Sequence, residues 1–135
     1  MRNYGAGGGL VRSYAQIVGV VILLVGVLGL VLGDQSLGGL LNIDLVGDIV
    51  HLVTGGVLAY AGFAIRDNAT VRTAIGAIGV IYIALGILGF IDRTLFNLLP
   101  NGYTIFDNIF HLGLGVLSVV VAWLIGREGE TSPAA

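Results

Sequence analysis

Four long stretches of this chain contain no Asp, Glu, Lys or Arg, and they constrain its fold more than any other feature. They comprise residues 13–33, 49–65, 73–91 and 108–126, with lengths of 21, 17, 19 and 19 residues. About 20 apolar residues in a helix cross the roughly 30 Å of bilayer hydrocarbon. An open sheet edge cannot be satisfied in lipid, and four segments are too few for a closed barrel. The pattern therefore predicts four transmembrane helices.

The composition agrees with this prediction and excludes several classes of function. The 135 residues are 56% hydrophobic and 10% charged, with a mean hydropathy of +1.00, which is more apolar surface than a soluble core of this size buries. The chain has no Cys, and all of its 6 basic residues are Arg. Disulfides, thiolate metal sites and Lys chemistry are thus excluded. Common hydrolase and nucleotide-binding motifs and a basic nucleic-acid patch are also absent, so we expect neither an enzyme nor a nucleic-acid partner.

The charged residues set the predicted boundaries and orientation. Helices are predicted over about 12–33, 45–65, 72–91 and 105–126, with flexible tails at 1–10 and 127–135. Five arginines lie before the first helix, between the second and third, or after the fourth, and only Arg93 lies in another connection. The positive-inside rule then puts both termini in the cytoplasm of a multi-pass cell-membrane protein. Tyr103 and Phe106 are predicted to be anchors at the outer interface.

The chain also matches itself at an offset of 60 residues. The segment "VGVVILLVGVLG" (Val18 to Gly29) aligns with "IGVIYIALGILG" (Ile78 to Gly89) without a gap. "GDIVHLVTGG" aligns in the same way with "DNIFHLGLGV" and superposes the two histidines of the chain. Each repeat, 11–65 and 71–126, contains two helices and so keeps the same orientation in the membrane. We therefore predict an all-α four-helix bundle built from two tandem two-helix repeats, with a pseudo-two-fold axis along the membrane normal.

The two repeated histidines are the most notable polar residues of the predicted helices. Asp44 is predicted to cap the second helix, and "TIFD" (104–107) is predicted to form a capping box for the fourth. His51 and His111 each follow a cap by seven residues, or roughly 10 Å along a helix. Both imidazoles are thus predicted at one depth in the outer leaflet, where ionisable groups usually have a partner.

Candidate partners of the histidines lie on the same helix faces. Asp48 precedes His51 by three residues, and Asp107 and Asn108 precede His111 by four and three. In the simplest interpretation these groups hydrogen-bond to the imidazoles and fix the bundle. The protein then acts by helix packing and assembly, as a homo-oligomer or as an accessory subunit of a membrane complex, and needs no cofactor.

Two further interpretations of the same residues stay open. In one, His51 and His111 are axial ligands of a b-type haem whose flat ring packs on Gly55 and Gly115, one turn further along. In the other, two imidazoles and two carboxylates form a divalent-metal site or an ion pathway at the outer leaflet. The residues of that candidate metal site are Asp48, His51, Asp107 and His111.

The pattern of apolar helix pairs resembles a prokaryotic membrane family named domain of unknown function 4383. The resemblance covers Ile17 to Trp123 and is clearest in "GLLNIDLVGDIVHLVTGG" and "NLLPNGYTIFDNIFHLGLGV", where an outer loop leads to Asp or Asn, then His-Leu and a glycine. The second copy has Pro100 in its loop and the first lacks a proline. The resemblance implies a small four-helix integral membrane protein, draws attention to the two histidines, and implies no activity.

Overall fold

The four predicted helices are present in a computed structural model, which describes residues 6–125. The helices are α1 (Ala6–Leu32), α2 (Leu45–Ala64), α3 (Asn68–Ile91) and α4 (Ile105–Val120), and α4 continues as a π-helical turn over Val121–Ile125. Two short strands, β1 (Gln35–Leu37) and β2 (Leu41–Ile43), separate α1 from α2. All four helices are long and apolar enough to cross a membrane. The chain is therefore a multi-pass membrane protein, and its environment is a lipid bilayer.

The predicted caps explain where α2 and α4 begin. The Asp44 carboxylate accepts the N–H of the third residue of α2 at 2.7 Å, and Thr104 and Asp107 form the predicted capping box of α4. Two predicted boundaries were wrong. Helix α3 begins at residue 68 rather than 72, because Asp67 caps it. Residues 6–10, predicted as part of a flexible tail, belong to α1, and the remaining tail residues lie outside the described part of the chain.

The loop between α1 and α2 contains an antiparallel hairpin that the sequence pattern did not predict. Gln35 pairs with Ile43, and the chain turns at Gly38 and Gly39, whose φ values are 58° and 74°. Glycine adopts this left-handed region without a steric cost. The strands have only three residues each, which is too short for an alternating hydrophobic pattern to reveal them.

The loop between α3 and α4 has a different construction. Leu95, Phe96 and Asn97 have φ values of 46°, 59° and 68°, a left-handed conformation that costs about 1–2 kcal/mol for each ordinary residue. The Asp92 carboxylate holds this turn, because it accepts the N–H groups of Thr94 at 3.0 Å and of Phe96 at 3.1 Å. Hydrogen bonds from the Thr94 side chain and backbone lower the pKa of Asp92 below its ordinary value of 3.8.

Glycines bring the helices together in two close pairs, α1 with α2 and α3 with α4. A Cβ atom on Gly55 would lie 2.6 Å from the backbone nitrogen of Leu23, and one on Gly115 would lie 2.6 Å from that of Ile83. The two glycines are 60 residues apart, and so are the two residues that they contact, Leu23 and Ile83. This spacing is the offset of the predicted repeat. The same kind of contact therefore recurs in both hairpins, and the pseudo-two-fold axis itself stays a prediction.

The bundle has a buried core and an apolar outer surface. Leu58, Ile75 and Tyr82 are at most 1% exposed, whereas Val31 and Ile91 are 76% and 72% exposed. Such exposure of large apolar side chains fits contact with lipid. Both loops, 33–44 and 92–104, lie at what we call the loop end of the bundle. The connection 65–67 lies at the opposite end, which we call the terminal end because α1 begins there.

Candidate functional site

The two histidines meet inside the loop end of the bundle. His51 and His111 are each six residues from the first residue of their helices, so both lie about 9 Å along the helix from the loop end. Their ring centroids are 6.3 Å apart, with an angle of 54° between the ring planes. His111 is 9% exposed and His51 is partly buried. The structure therefore brings together the residue pair that the repeat singled out, and we call it the histidine pair.

Two tyrosines enclose His111. The ring of Tyr103 lies edge-on with its centroid 4.9 Å away, and the ring of Tyr82 lies 5.6 Å away. Tyr103 is only 7% exposed, so its predicted role as an anchor at the membrane interface was wrong. Burial, and then the negative charges of Asp44 and Asp107, raise the pKa of Tyr103 and keep its phenol neutral.

The expected hydrogen bonds to the imidazoles are not formed. The Nδ1 atoms of His51 and His111 are both buried and have no hydrogen-bond partner among the residues that the structure describes. Asp107 accepts instead from the backbone of Thr104 at 2.8 Å and of Asn42 at 3.0 Å. A buried polar atom without a partner costs free energy unless a further group satisfies it. The histidine pair therefore does not fix the bundle in the way that the simplest interpretation required.

The other two expected partners, Asp48 and Asn108, lie against glycines of the neighbouring helices. A Cβ atom on Gly29 would collide with the Asp48 carboxylate, and one on Gly89 would collide with the Asn108 amide oxygen. These side chains thus occupy the space that two glycines leave open on α1 and α3. Because residues 48 and 108, like residues 29 and 89, are 60 apart, the same arrangement occurs twice.

Three buried carboxyl groups lie near the histidine pair on its loop side. Asp44, Asp48 and Asp107 are 1%, 4% and 7% exposed. The hydrogen bonds to Asp44 and Asp107 come from neutral donors, and Asn42 links the two, since its backbone N–H donates to Asp107 and its amide to Asp44. Arg93, the one arginine of this end among the described residues, donates to backbone carbonyls instead. No guanidinium within residues 6–125 therefore neutralises these three carboxylates.

The four residues of the predicted metal site are only partly assembled. No group of three or more His, Asp or Glu side chains in the described part of the chain has a geometry that could hold a metal ion. The histidines are adjacent, but Asp48 and Asp107 make the contacts given above. What the structure brings together is a pair of imidazoles, with carboxylates nearby rather than beside them.

The glycines beneath the histidines are already covered. Besides its contact with Leu23, a Cβ atom on Gly55 would lie 3.0 Å from the carbonyl oxygen of Gly19, and one on Gly115 would lie 2.7 Å from that of Gly79. Helices α1 and α3 thus pack directly on these positions. The expectation that Gly55 and Gly115 form a flat bed for a haem was wrong, because the backbones of neighbouring helices occupy that space.

One residue near the site, Asn42, was not found as a site residue from the sequence, and the contact between Tyr82 and Thr54 was not predicted. Asn42 lies in the unpredicted hairpin, and its buried Oδ1 atom also has no partner. Tyr82 donates a hydrogen bond of 2.7 Å to Thr54, whose own hydroxyl donates to a backbone carbonyl of α2. Helical spacing identifies neighbours on one helix but not contacts between helices or from loops, so no signal in the sequence pointed to Asn42.

Comparison with known proteins gives a family and no activity. The family model described as "Domain of unknown function (DUF4383)" matches residues 12–124, which include all four helices except the first turns of α1 and the last residue of the π-helical turn. No curated protein and no solved structure matches the chain.

Proposed function

This chain belongs to the DUF4383 family, and we propose that it is a non-enzymatic membrane protein that binds a transition-metal cation between His51 and His111. The observation that carries the proposal is that the two imidazoles are adjacent and that each has a buried Nδ1 atom without a hydrogen-bond partner within residues 6–125. Neutral imidazole nitrogens are ligands of Zn²⁺, Cu, Fe and Ni ions. On the orientation predicted from the arginines, the ion enters from the outside.

The separation of the rings fits one ion held between them with a near-linear N–metal–N angle. Two metal–nitrogen bonds of about 2.0–2.1 Å, with a ring radius of about 1.1 Å added at each end, separate two centroids by about 6.3 Å when the N–metal–N angle is linear and by about 5.1 Å when it is tetrahedral. The observed value of 6.3 Å corresponds to the linear arrangement, so a tetrahedral ion such as Zn²⁺ requires the two rings to approach each other by about 1.2 Å. A direct hydrogen bond of about 3.0 Å between the rings would bring the centroids to about 5.2 Å. The angle between the planes is no obstacle, because coordination through one nitrogen of each ring does not require the two ring planes to be parallel.

The charge of the loop end also favours a cation. Buried charges in proteins are usually paired or coordinate a metal, and Asp44, Asp48 and Asp107 are buried without a guanidinium partner among residues 6–125. Two neutral imidazoles alone do not compensate the charge of a metal ion. The nearby carboxyl groups supply that compensation, and Asp44 and Asp107 do so while they keep their present hydrogen bonds.

A b-type haem with the same two ligands is the alternative occupant. It is less favoured than a bare ion because α1 and α3 cover Gly55 and Gly115, whereas an ion needs only the space between the rings. A visible spectrum distinguishes the two, since only the haem gives a Soret band that disappears in His51→Ala and His111→Ala.

Metal binding is tested on the purified protein in mild detergent. The protein is treated with a chelator, incubated with Zn²⁺ or with Co²⁺, and desalted, and the metal per chain is then determined by elemental analysis. We expect one metal ion per chain in the wild type and at least a tenfold weaker affinity in each single histidine variant. The matched control is Thr54→Val, which removes a buried hydroxyl one turn from His51 and leaves both imidazoles in place.

The results separate metal binding from a merely polar core. Wild-type metal content in the double variant His51→Ala/His111→Ala would refute the proposal, and so would the absence of metal from a folded wild type. A water molecule bent between the two rings would then be the simplest occupant. Loss of metal in Thr54→Val to the same extent would show that loosening of the bundle, and not loss of ligands, explains the effect.

Assembly is a second candidate, and one observation still favours it. Most glycines of the helices are used within the bundle, but a Cβ atom added to Gly113 of α4 would meet no other atom within 4 Å, and this glycine shares a face with the exposed Phe106 and Phe110. Because the chain has no Cys, Gly113→Cys creates a unique site for oxidative cross-linking. We expect Gly113→Cys to form a larger amount of disulfide-linked dimer than Phe63→Cys, which places a thiol on the exposed surface of α2. Equal cross-linking at the two positions would contradict assembly through this face.

A further inference from the structure

A cavity of about 780 Å³, open to the surface and lined by both polar and apolar groups, lies at the terminal end, far from the histidine pair. It is bounded by the first part of α1, the end of α2 and the first residue of α3. Its polar lining comprises Arg12, Ser13, Gln16, Arg66 and Asn68. Phe63, which is 65% exposed, lines its apolar margin. The cavity thus combines two arginines with an apolar edge that faces the lipid.

Arg12 is held in a fixed orientation but is not neutralised. Its guanidinium donates to the carbonyl oxygens of Gly62 at 2.9 Å and Arg66 at 3.0 Å, and to the Asn68 side chain at 2.9 Å. All three acceptors are uncharged. A guanidinium has five N–H donors, so these bonds leave donors and a full positive charge for another group.

Arg66 supplies a second positive charge. Its side chain is exposed and forms no hydrogen bond or ion pair within residues 6–125. The carboxylate that follows it in the chain, Asp67, accepts from the backbone and hydroxyl of Thr70 at the start of α3. The lining therefore carries two guanidinium groups and no carboxylate.

The position of the cavity indicates where its ligand comes from. Arg12 of α1 immediately precedes the uncharged stretch 13–33, and Arg66 is two residues beyond the end of α2. This level corresponds to the boundary between acyl chains and headgroups, where basic pockets between helices bind anionic headgroups. Arginine also matches the oxygens of a phosphate group better than lysine does, because its N–H groups form a planar fork.

We propose that this cavity binds an anionic phosphate group between Arg12 and Arg66, with an acyl chain of a phospholipid along Phe63. Inorganic phosphate offers the same chemistry without the acyl chain. The proposal is independent of metal binding at the histidine pair, because the two sites share no residue and lie at opposite ends of the bundle.

Native mass spectrometry of the delipidated protein tests the proposal. The protein in detergent is titrated with phosphatidylglycerol, whose headgroup is anionic, or with phosphatidylcholine, whose phosphate is balanced by choline. We expect the wild type to bind phosphatidylglycerol about tenfold more tightly, and we expect Arg66→Gln to lose this preference, since a charge-assisted hydrogen bond corresponds to about one order of magnitude in affinity. Arg66 is chosen because its side chain is exposed and forms no hydrogen bond or ion pair within the described part of the chain. The control Arg72→Gln removes one charge at the same end from a residue outside this cavity.

Each outcome decides a specific point. Loss of the preference in Arg66→Gln but not in Arg72→Gln supports the site. Displacement of phosphatidylglycerol by millimolar inorganic phosphate supports the phosphate chemistry and shifts the source of the ligand to solution. Equal binding of the two lipids, or an unchanged preference in Arg66→Gln, would overturn the proposal. An equal loss in Arg72→Gln would do the same, because it would show an effect of total charge and not of this cavity.

Discussion

The two glycines Gly113 and Gly115 of α4 allow a sharp test of how the helices pack. They are two residues apart on one helix and thus share depth and sequence context. A Cβ atom on Gly115 would lie 2.6 Å from the backbone nitrogen of Ile83 and 2.7 Å from the carbonyl oxygen of Gly79, whereas one on Gly113 would meet nothing within 4 Å. We predict that Gly115→Ala destabilises the bundle and that Gly113→Ala does not.

The size of the effect follows from these distances. Favourable contacts between heavy atoms lie at about 3.5–4.0 Å, so the Cβ atom of Gly115→Ala is too close to both backbone atoms by about 1 Å. Neither atom belongs to a side chain that can turn away, and α3 and α4 have to move apart. Overpacking of this kind costs about 1–3 kcal/mol. Gly113→Ala adds a methyl group in open space and removes the flexibility of glycine, a gain of about 0.5–1 kcal/mol in an ordinary helix.

Unfolding in mixed micelles with increasing SDS, followed by circular dichroism, measures both variants against the wild type. The expected order of stability is Gly113→Ala at or above the wild type and Gly115→Ala below it by at least about 1 kcal/mol. Gly55→Ala, which has the corresponding contact in the first hairpin, is expected to behave like Gly115→Ala. If Gly115→Ala were as stable as Gly113→Ala, the close packing of α3 on α4 would be refuted.

Three further predictions concern hydrogen bonds. Tyr82→Phe removes the hydrogen bond to Thr54 inside the bundle. In the same SDS titration, this substitution is expected to lower the free energy of unfolding by about 1 kcal/mol. An unchanged free energy of unfolding would show that this bond does not stabilise the fold. Tyr14 and Ser118 share a hydrogen bond of 2.6 Å between α1 and α4. A double-mutant cycle of Tyr14→Phe and Ser118→Ala is expected to give a coupling free energy of about 0.6 kcal/mol. Strictly additive effects of the two substitutions would argue against the contact. The third concerns pH. Because hydrogen bonds lower the folded-state pKa of Asp92, its ionised form stabilises the loop above its ordinary pKa, and this contribution is lost as the pH falls below about 4 and through the lowered value. Thermal unfolding at a series of pH values is expected to show a weaker acid dependence in Asp92→Asn than in the wild type, and equal dependences would contradict this role.

The helices were predictable because their signals are local. The distance between charged residues sets the length of a span, and Asp44 and Thr104 mark the starts of α2 and α4 through bonds to residues three positions away. The error at α3 has the same origin, since a boundary at Arg72 ignored the cap that Asp67 provides. The hairpin of β1 and β2 could not be predicted in this way, because its position depends on a bond from Asn42 to a residue 65 positions away.

In the candidate site, too, local signals predicted some features and contacts between distant segments decided the others. The 60-residue repeat identified His51 and His111 as equivalent, and their spacing from the caps gave a common depth. The sequence offered Asp48 as a partner on the same helix face, and only the packed structure shows that this carboxylate fills the space beside Gly29 instead. Spacing along one helix cannot distinguish these outcomes, because both directions are open to the side chain until a neighbouring helix is in place.

By itself, the sequence determined a four-helix membrane protein, since the cost of placing charges and open backbone groups in lipid leaves few other folds. It also determined that two histidines lie at one depth. The tertiary structure decided that their rings meet at 6.3 Å without hydrogen-bond partners at Nδ1, and that the glycines near them serve contacts within the bundle. The physical reason is that burial in lipid depends on composition along the chain, whereas the surroundings of a side chain depend on close packing between segments far apart in the sequence.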